Sequence, residues 1–259
     1  MLNARSLVLA CVASLPVAAA DLAPTGALRA AFLGTNPVQG RVDPKTGAIT
    51  GPVADLTREL AARLGVPFKI FPEPSPREVI DRLKAHTADI GFLAIEAGRA
   101  SEVNFSRPYV LMPSTYIVRA DSSIQKSAAV DRAGARVGAV QGLSQEIYLS
   151  ANLKNAKVKP FSTNPSAEEL EKMLMSGELD AFGANRQRMV DAASASSKLR
   201  VLPDNFFIAE QAIVVEKGDP ARLDLINRFL DEMVASGFVK SSLDRAKLAG
   251  VEVAPAGRR

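Results

Sequence analysis

One pattern of apolar and polar positions occurs twice in the chain, about ninety residues apart. Each copy opens with Ser-x-x-Glu, at Ser75 and at Ser166, which predicts a helix that begins with a capping box. Apolar residues follow at helical spacing, and an aspartate ends each copy, Asp89 in the first and Asp180 in the second. The equal spacing from serine to aspartate predicts two helices in equivalent settings.

Both predicted helices lie between short apolar stretches that are typical of buried strands. The stretches are residues 66–71 and 90–94 around the first helix, and residues 158–161 and 181–184 around the second. This repeated order of strand, helix and strand predicts two similar α/β lobes. The repeat itself is explained either by a shared origin of the two lobes or by the regularity common to α/β proteins. Two lobes leave a cleft between them, which is a preferred place for small ligands.

The remaining pattern predicts how the chain passes between the lobes. Residues 112–118 and 211–215 are extended and apolar, and we expect them to be the two crossings. Lobe two is then inserted in lobe one, and the paired linkers form a hinge that closes the cleft. The expected boundaries are residues 21–112 and 210–250 for lobe one, 113–209 for lobe two, and 251–259 for a loose tail.

Residues 1–20 have the pattern of a secretory signal peptide. One positive charge at Arg5 precedes an apolar run over residues 7–15 and an Ala-x-Ala end, so cleavage is expected before Asp21, with the product in the periplasm. The run is too short for a permanent span, and a frayed N-terminal helix is the alternative. Cys11, the single cysteine, lies in this segment. Unless Cys11 is lipidated, the exported protein is expected to have no thiol chemistry.

Composition narrows the function classes. His86 is the single histidine, which disfavours a zinc site and a Ser–His–acid triad, and an exposed position at a helix end is the plainer interpretation. The net charge of +4 is spread along the chain and tryptophan is absent, which disfavours a nucleic-acid surface. No metal or other cofactor is expected.

Arg99 is the first candidate for binding chemistry. It follows the carboxyl end of the predicted 90–94 strand, where open α/β sheets place their ligands. A guanidinium meets a carboxylate with two hydrogen bonds, and inside a closed cleft such a pair is little screened. An exposed arginine paired with Glu96 is the alternative.

The turn over residues 141–144 is the second candidate. Gly142 permits a tight turn, and the following helix is predicted to bury Leu143, Ile147 and Ala151. Free amides at the helix start, together with the Ser144 hydroxyl, favour an anion. An ordinary strand–helix turn is the alternative.

These residues belong to a longer set of motifs. The most specific is Arg99-x3-Val103-x-Phe105-Ser106-x-Pro108-Tyr109, accompanied by Gly51-x3-Asp55-Leu56, Leu64-Gly65, Val140-Gln141-Gly142-x-Ser144-Gln145-Glu146 and Gly177-x2-Asp180-Ala181. In these motifs the chain resembles the family-3 extracellular solute-binding proteins, periplasmic receptors for polar amino acids, from about residue 28 to residue 238. The resemblance implies an α/β, two-lobe periplasmic-binding-protein fold of type II. It also implies delivery of the ligand to an ABC-type permease in the inner membrane.

The resemblance implies roles for individual residues as well. Arg99 and Ser144 match the residues that hold the ligand α-carboxylate. Asn185 stands where amino-acid receptors usually carry the aspartate for the ammonium, and Ala94 where a serine or threonine assists. Recognition of an α-amino group is therefore left open, and a helix N-cap is the alternative role for Asn185. The candidate ligand-binding set is Arg99, Ser144, Ala94, Leu143, Asn185, Phe92 and Asn36.

Three functions remain. The leading one is a monomeric, non-catalytic periplasmic protein that captures a small carboxylate or amino-acid-like solute for ABC-type uptake. The second is an exported enzyme on the same fold, similar to cyclohexadienyl dehydratases, with Glu96 or Glu146 as the acid that such a reaction needs. The third is a sensory or docking protein with a degenerate cleft.

Overall fold

Strands and helices alternate along most of the chain, as the repeated pattern predicts. The computed structural model describes residues 21–255, so the predicted signal peptide and Cys11 lie outside the described residues. The strands are β1 (Leu28–Leu33), β2 (Arg41–Val42), β3 (Ile49–Thr50), β4 (Phe68–Glu73), β5 (Ile90–Ala94), β6 (Val103–Arg119), β7 (Arg136–Val140), β8 (Lys157–Phe161), β9 (Ala181–Asn185), β10 (Leu199–Val201), β11 (Phe207–Glu216) and β12 (Glu252–Val253). The helices are α1 (Pro52–Leu64), α2 (Pro76–Lys84), α3 (Ser144–Asn152), α4 (Ala167–Met175), α5 (Arg186–Ser194), α6 (Pro220–Ala235) and α7 (Phe238–Ala246). None of these helices is long and apolar enough to cross a bilayer.

The same sheet topology is built twice. In lobe one the strand order is β4-β1-β5-β11, and in lobe two it is β8-β7-β9-β6. In each lobe the first three strands are parallel and the fourth is antiparallel. The 17-residue β6 pairs antiparallel with β11, and these two strands carry the chain out of lobe one and back. The predicted α/β fold, with an inserted second lobe and two crossing segments, is confirmed.

The two repeated helices begin at the predicted serines but are capped differently. At α4 the capping box is complete, because the Glu169 amide donates to Ser166 Oγ at 3.2 Å and the Ser166 amide donates to the Glu169 carboxylate at 2.7 Å. At α2 the Ser75 hydroxyl accepts from the Arg77 amide at 3.2 Å, and the reciprocal bond from the glutamate is not formed. A proline occupies the first position of α2, and the hydroxyl bonds the second amide of the helix instead of the third.

The two repeated aspartates tie each helix back to the first strand of its lobe. Asp89 accepts the backbone amide of Arg29 in β1 at 2.8 Å, and Asp180 accepts that of Arg136 in β7 at 2.9 Å. The Asp89 side chain is 2% exposed and also pairs with the Arg29 guanidinium at 2.7 Å. The Asp180 side chain is 26% exposed, and its nearest contact with the Arg136 guanidinium is 3.5 Å long. Equivalent positions of the two lobes therefore make the same bond between an aspartate and a backbone amide, which is buried in lobe one and more exposed in lobe two.

Residues 252–254 are held more firmly than their composition predicts. β12 pairs antiparallel with β6, and the Ala254 amide donates to the Tyr109 carbonyl at 3.0 Å. The segment supplies partners for backbone groups that β6 would otherwise leave unpaired at this edge. As far as Ala254, the structure thus differs from the expectation of a loose tail.

Candidate functional site

A cavity lies between the lobes where β5 and β9 end. Its walls come from both lobes, and the starts of α3 and α5 form the wall of lobe two. This is the edge at which open α/β sheets place their ligands. Six of the predicted site residues line it together: Arg99, Ser144, Ala94, Leu143, Asn185 and Asn36.

Arg99 spans the gap between the lobes. Its Nη1 donates to the Ala94 carbonyl at 2.9 Å in lobe one, and its Nη2 donates to the Gly142 carbonyl at 2.7 Å in lobe two. Burial lowers the pKa of the Arg99 guanidinium, and the nearby charge of Glu96 opposes that shift only in part. Both bonds go to neutral carbonyls, and a guanidinium carries five N–H donors, so donors remain for a ligand. Arg99 is thus a half-buried cation without an ion-pair partner among the described residues.

The turn before α3 brings polar groups into the cavity. Gly142 has a φ of +74°, which favours glycine, and α3 begins two residues later at Ser144. Ser144 Oγ is buried without a hydrogen-bond partner in the described chain. The first amides of a helix have no acceptor within the helix, so this turn can hold an anion.

The predicted buried face of α3 is wrong. Ile147 is 41% exposed and Ala151 is exposed, whereas the helix buries Gln145 and Leu149. Gln145 donates through its amide nitrogen to Ser114 Oγ of β6 at 2.9 Å. The start of α3 faces the cavity and the crossing strand, so polar residues are buried there and the apolar spacing misleads.

Asn185 caps the helix that follows β9. Its Oδ1 accepts the Arg188 backbone amide at 2.9 Å, which is an N-cap contact. The cap uses the side-chain oxygen, so the remaining polar group of Asn185 is an amide nitrogen that donates. The alternative role as an N-cap is therefore the one that the structure contains. An ammonium would find no carboxylate at this position.

Arg188 is a cavity residue that the sequence reading missed. It lies in the first turn of α5, where its Nη2 donates to the Pro165 carbonyl at 2.7 Å and its Nε is buried without a partner. Burial lowers the pKa of Arg188, and Asp191, three residues later, opposes that shift. The Asp191 carboxylate itself bonds to Arg41 of lobe one at 2.7 Å and to Gln187 at 2.7 Å. An arginine three residues before an aspartate on a helix is typical of an exposed ion pair, so the spacing alone does not indicate this role.

A pair of glutamines orients a further donor toward the cavity. Gln39 accepts the Leu33 amide through Oε1 at 2.9 Å and donates through Nε2 to the Phe92 carbonyl at 3.1 Å, which fixes its amide orientation. The same Nε2 donates to Gln211 at 2.9 Å, so the contacted atom of Gln211 is its oxygen. Gln211 Nε2 is then left buried and unpaired in the cavity wall.

Phe92 is the one predicted site residue that does not reach the cavity. Its side chain is fully buried in the lobe-one core, where its ring meets the Tyr109 ring edge-on at 6.2 Å. Parallel strands are buried on both faces, so position on β5 did not reveal which face Phe92 occupies. Its contribution near the site is the backbone carbonyl that accepts from Gln39.

The cavity is positively charged and rich in donors. Its described lining includes Arg99 and Arg188 but no aspartate or glutamate, and no cluster of side chains suited to a metal occurs in residues 21–255. Leaving a buried polar atom unpaired costs about 1–3 kcal/mol, so several in one cavity indicate a ligand position. Four buried side-chain atoms of the lining lack partners: Ser144 Oγ, Asn164 Oδ1, Arg188 Nε and Gln211 Nε2.

The chain matches the model of a known protein family. Residues 28–245 match the model of the bacterial extracellular solute-binding proteins, family 3. The chain belongs to this family. The resemblance inferred from the motifs around Arg99 and Ser144 is therefore confirmed, and members of the family are extracellular binding proteins.

Individual proteins are similar to the chain in sequence, and solved structures are similar to it in fold. The L-cystine-binding protein TcyJ of Escherichia coli strain K12 is 24% identical over 198 residues, which are 75% of this chain and 73% of that protein. The crystal structure of a mutant of ArgBP from T. maritima is 25% identical with a TM-score of 0.73, and the match covers 89% of this chain and 99% of that one. AncCDT-1, an ancestral amino acid-binding protein and a precursor of cyclohexadienyl dehydratase, is 25% identical with a TM-score of 0.73 over 88% of this chain and 97% of its own. The fold is therefore the type II periplasmic-binding-protein fold.

Proposed function

We propose that the chain captures a small solute carrying a carboxylate in the cleft between its lobes. Arg99 carries this proposal, because it lies half-buried between the lobes and donates to neutral carbonyls on both sides. One carboxylate placed there would receive the remaining Arg99 donors, the Ser144 hydroxyl and the first amides of α3. Binding would then draw the two lobes together around the ligand.

We further propose export to the periplasm and delivery of the solute to an ABC-type permease by a monomer. Membership in an extracellular solute-binding family and the pattern of residues 1–20 support this. TcyJ is named for binding L-cystine, and AncCDT-1 is described as binding amino acids. An amino-acid-like solute is accordingly one of the classes to test.

A panel of carboxylates and amino acids tests the proposal by thermal unfolding. A true ligand present at 100 times its dissociation constant should stabilise the protein by about 2.7 kcal/mol. The panel should contain matched acids, amides and amines, so that the group responsible for the shift is identified. If no carboxylate of any kind raises the unfolding temperature, the proposed function is refuted.

The second candidate is an enzyme, because AncCDT-1 is described as the precursor of a dehydratase. Dehydration needs an acid in contact with the substrate. Glu96 and Glu146 do not line the cavity, and Glu146 instead accepts the Gly142 amide at 3.1 Å and the Ser150 hydroxyl at 2.7 Å. We therefore propose a non-catalytic role. Incubation with prephenate checks it, and turnover above background would overturn it.

A further inference from the structure

The cavity has two cationic walls, one from each lobe. Arg99 comes from the segment after β5 of lobe one, and Arg188 comes from the first turn of α5 in lobe two. Each guanidinium is anchored by a backbone carbonyl, which holds its position without neutralising its charge. Both residues are half-buried, and a single carboxylate would pair with one of these charges and leave the other without an anionic partner in the cavity.

The acidic residues near the two arginines do not act as their ion-pair partners inside the cavity. Asp191 bonds to Arg41 and Gln187 and makes no ion pair with Arg188 within the described chain. Glu96 influences Arg99 electrostatically but does not line the cavity. Neither carboxylate forms an ion pair with an arginine of the cavity, so an anionic ligand is suited to both guanidinium groups.

The same cavity is poorly suited to an ammonium group. Its described lining lacks a carboxylate, and Asn185 has its oxygen committed to the cap of α5. Gln211 directs a donor nitrogen to the cavity, because Gln39 holds its oxygen. An ammonium beside these groups would meet donors and positive charge.

We infer that the ligand is a small dicarboxylate without an amino group, bound with one carboxylate on Arg99 and the other on Arg188. This inference rests on the proposed function and specifies its ligand class. Asn164 Oδ1, an unpaired acceptor of the lining, is available to a hydroxyl between the two carboxylates. The lobes would close because the ligand bridges one cation on each side.

A ligand series on one five-carbon chain tests the inference by isothermal titration calorimetry. Glutarate has both carboxylates, pentanoate has one, L-glutamate adds an amino group to glutarate, and L-norvaline adds it to pentanoate. We expect glutarate to bind about 10- to 100-fold more tightly than pentanoate and L-glutamate, since each lost or unmatched charged contact changes affinity by this factor. 4-Phosphonobutanoate distinguishes a second carboxylate from another second anion.

Two arginine-to-glutamine variants test whether the preference for glutarate over pentanoate depends on Arg188. Arg188→Gln should reduce glutarate affinity to that of pentanoate, while pentanoate affinity changes little. Arg186→Gln is the matched control, because Arg186 lies in the same helical turn but bonds to Asn205 and to the Pro203 carbonyl outside the cavity. The control should keep the preference for glutarate. Far-UV circular dichroism and unfolding without ligand verify that each variant folds.

The outcomes separate this inference from the proposed function. Equal affinity for glutarate and pentanoate, tighter binding of L-glutamate or L-norvaline, or a preference unchanged by Arg188→Gln would overturn the dicarboxylate while leaving a carboxylate receptor. Binding of the phosphonate but not of glutarate would overturn it as well. If Arg188→Gln does not fold, the ligand series on the unaltered protein decides alone.

Discussion

Replacing Arg99 with alanine is expected to weaken ligand binding by at least about thirty-fold while leaving the fold intact. Truncating one member of a buried, hydrogen-bonded charge pair costs about 2–5 kcal/mol, so affinity should fall by a factor of about thirty to several thousand. The variant also loses the two bonds that join Ala94 and Gly142 across the cleft. Titration calorimetry with the best carboxylate of the panel measures the change.

The unliganded variant provides an independent readout. Burial lowers the pKa of Arg99, so the charged side chain does not favour the empty folded protein. The loss of its two hydrogen bonds opposes the gain from removing that charge, so the unfolding temperature of Arg99→Ala without ligand should stay close to that of the unaltered protein. Arg107→Ala, which removes an exposed arginine paired with Asp231, is the control and should bind normally. Normal binding by Arg99→Ala would remove this residue from the site.

Among the variants proposed, replacing Asp89 with alanine is expected to lower the free energy of unfolding the most. The substitution leaves the Arg29 guanidinium, 17% exposed, and the Arg29 amide without their acceptor. Breaking a buried ion pair on one side costs about 3–5 kcal/mol. Urea denaturation without ligand, followed by circular dichroism, measures the loss.

Asp180→Ala is the matched control for that substitution. Asp180 makes the same backbone contact in lobe two, but both it and Arg136 are much more exposed, so the expected loss is about 1 kcal/mol or less. Equal losses in the two variants would show that burial does not set the strength of this repeated contact. A small loss for Asp89→Ala would refute the prediction.

The architecture was predictable because it follows from local periodicity. Leu56 and Leu60 lie on one face of α1, and that face is buried as the spacing requires. Residues close in sequence also predicted the Ser166 capping box. The same holds for the strand–helix–strand units that contain Asp89 and Asp180. Arg99 followed from its place after a parallel strand, which the topology of open sheets makes informative.

The cavity was less predictable because its residues meet across the chain. Gln211 lies in an apolar stretch of β11 and becomes informative only when Gln39, 172 positions away, fixes its orientation. Arg188 has an aspartate on its own helix, and the structure shows that this aspartate is bound by Arg41 of the other lobe. Ile147 was assigned to the wrong face because α3 starts against a polar cleft instead of an apolar core.

The pairing of the two crossing strands has an evolutionary consequence. Ser114 of β6 is the register partner of Phe207 of β11, so the chain enters and leaves lobe two at points about 4.8 Å apart. Lobe two is thus one uninterrupted piece of sequence with adjoining ends. Recombination between relatives can exchange that piece, and with it Ser144 and Arg188, while Arg99 stays in place. Binding sites with new specificities can arise in this way, because one side of the cavity is replaced while the two crossing strands are kept.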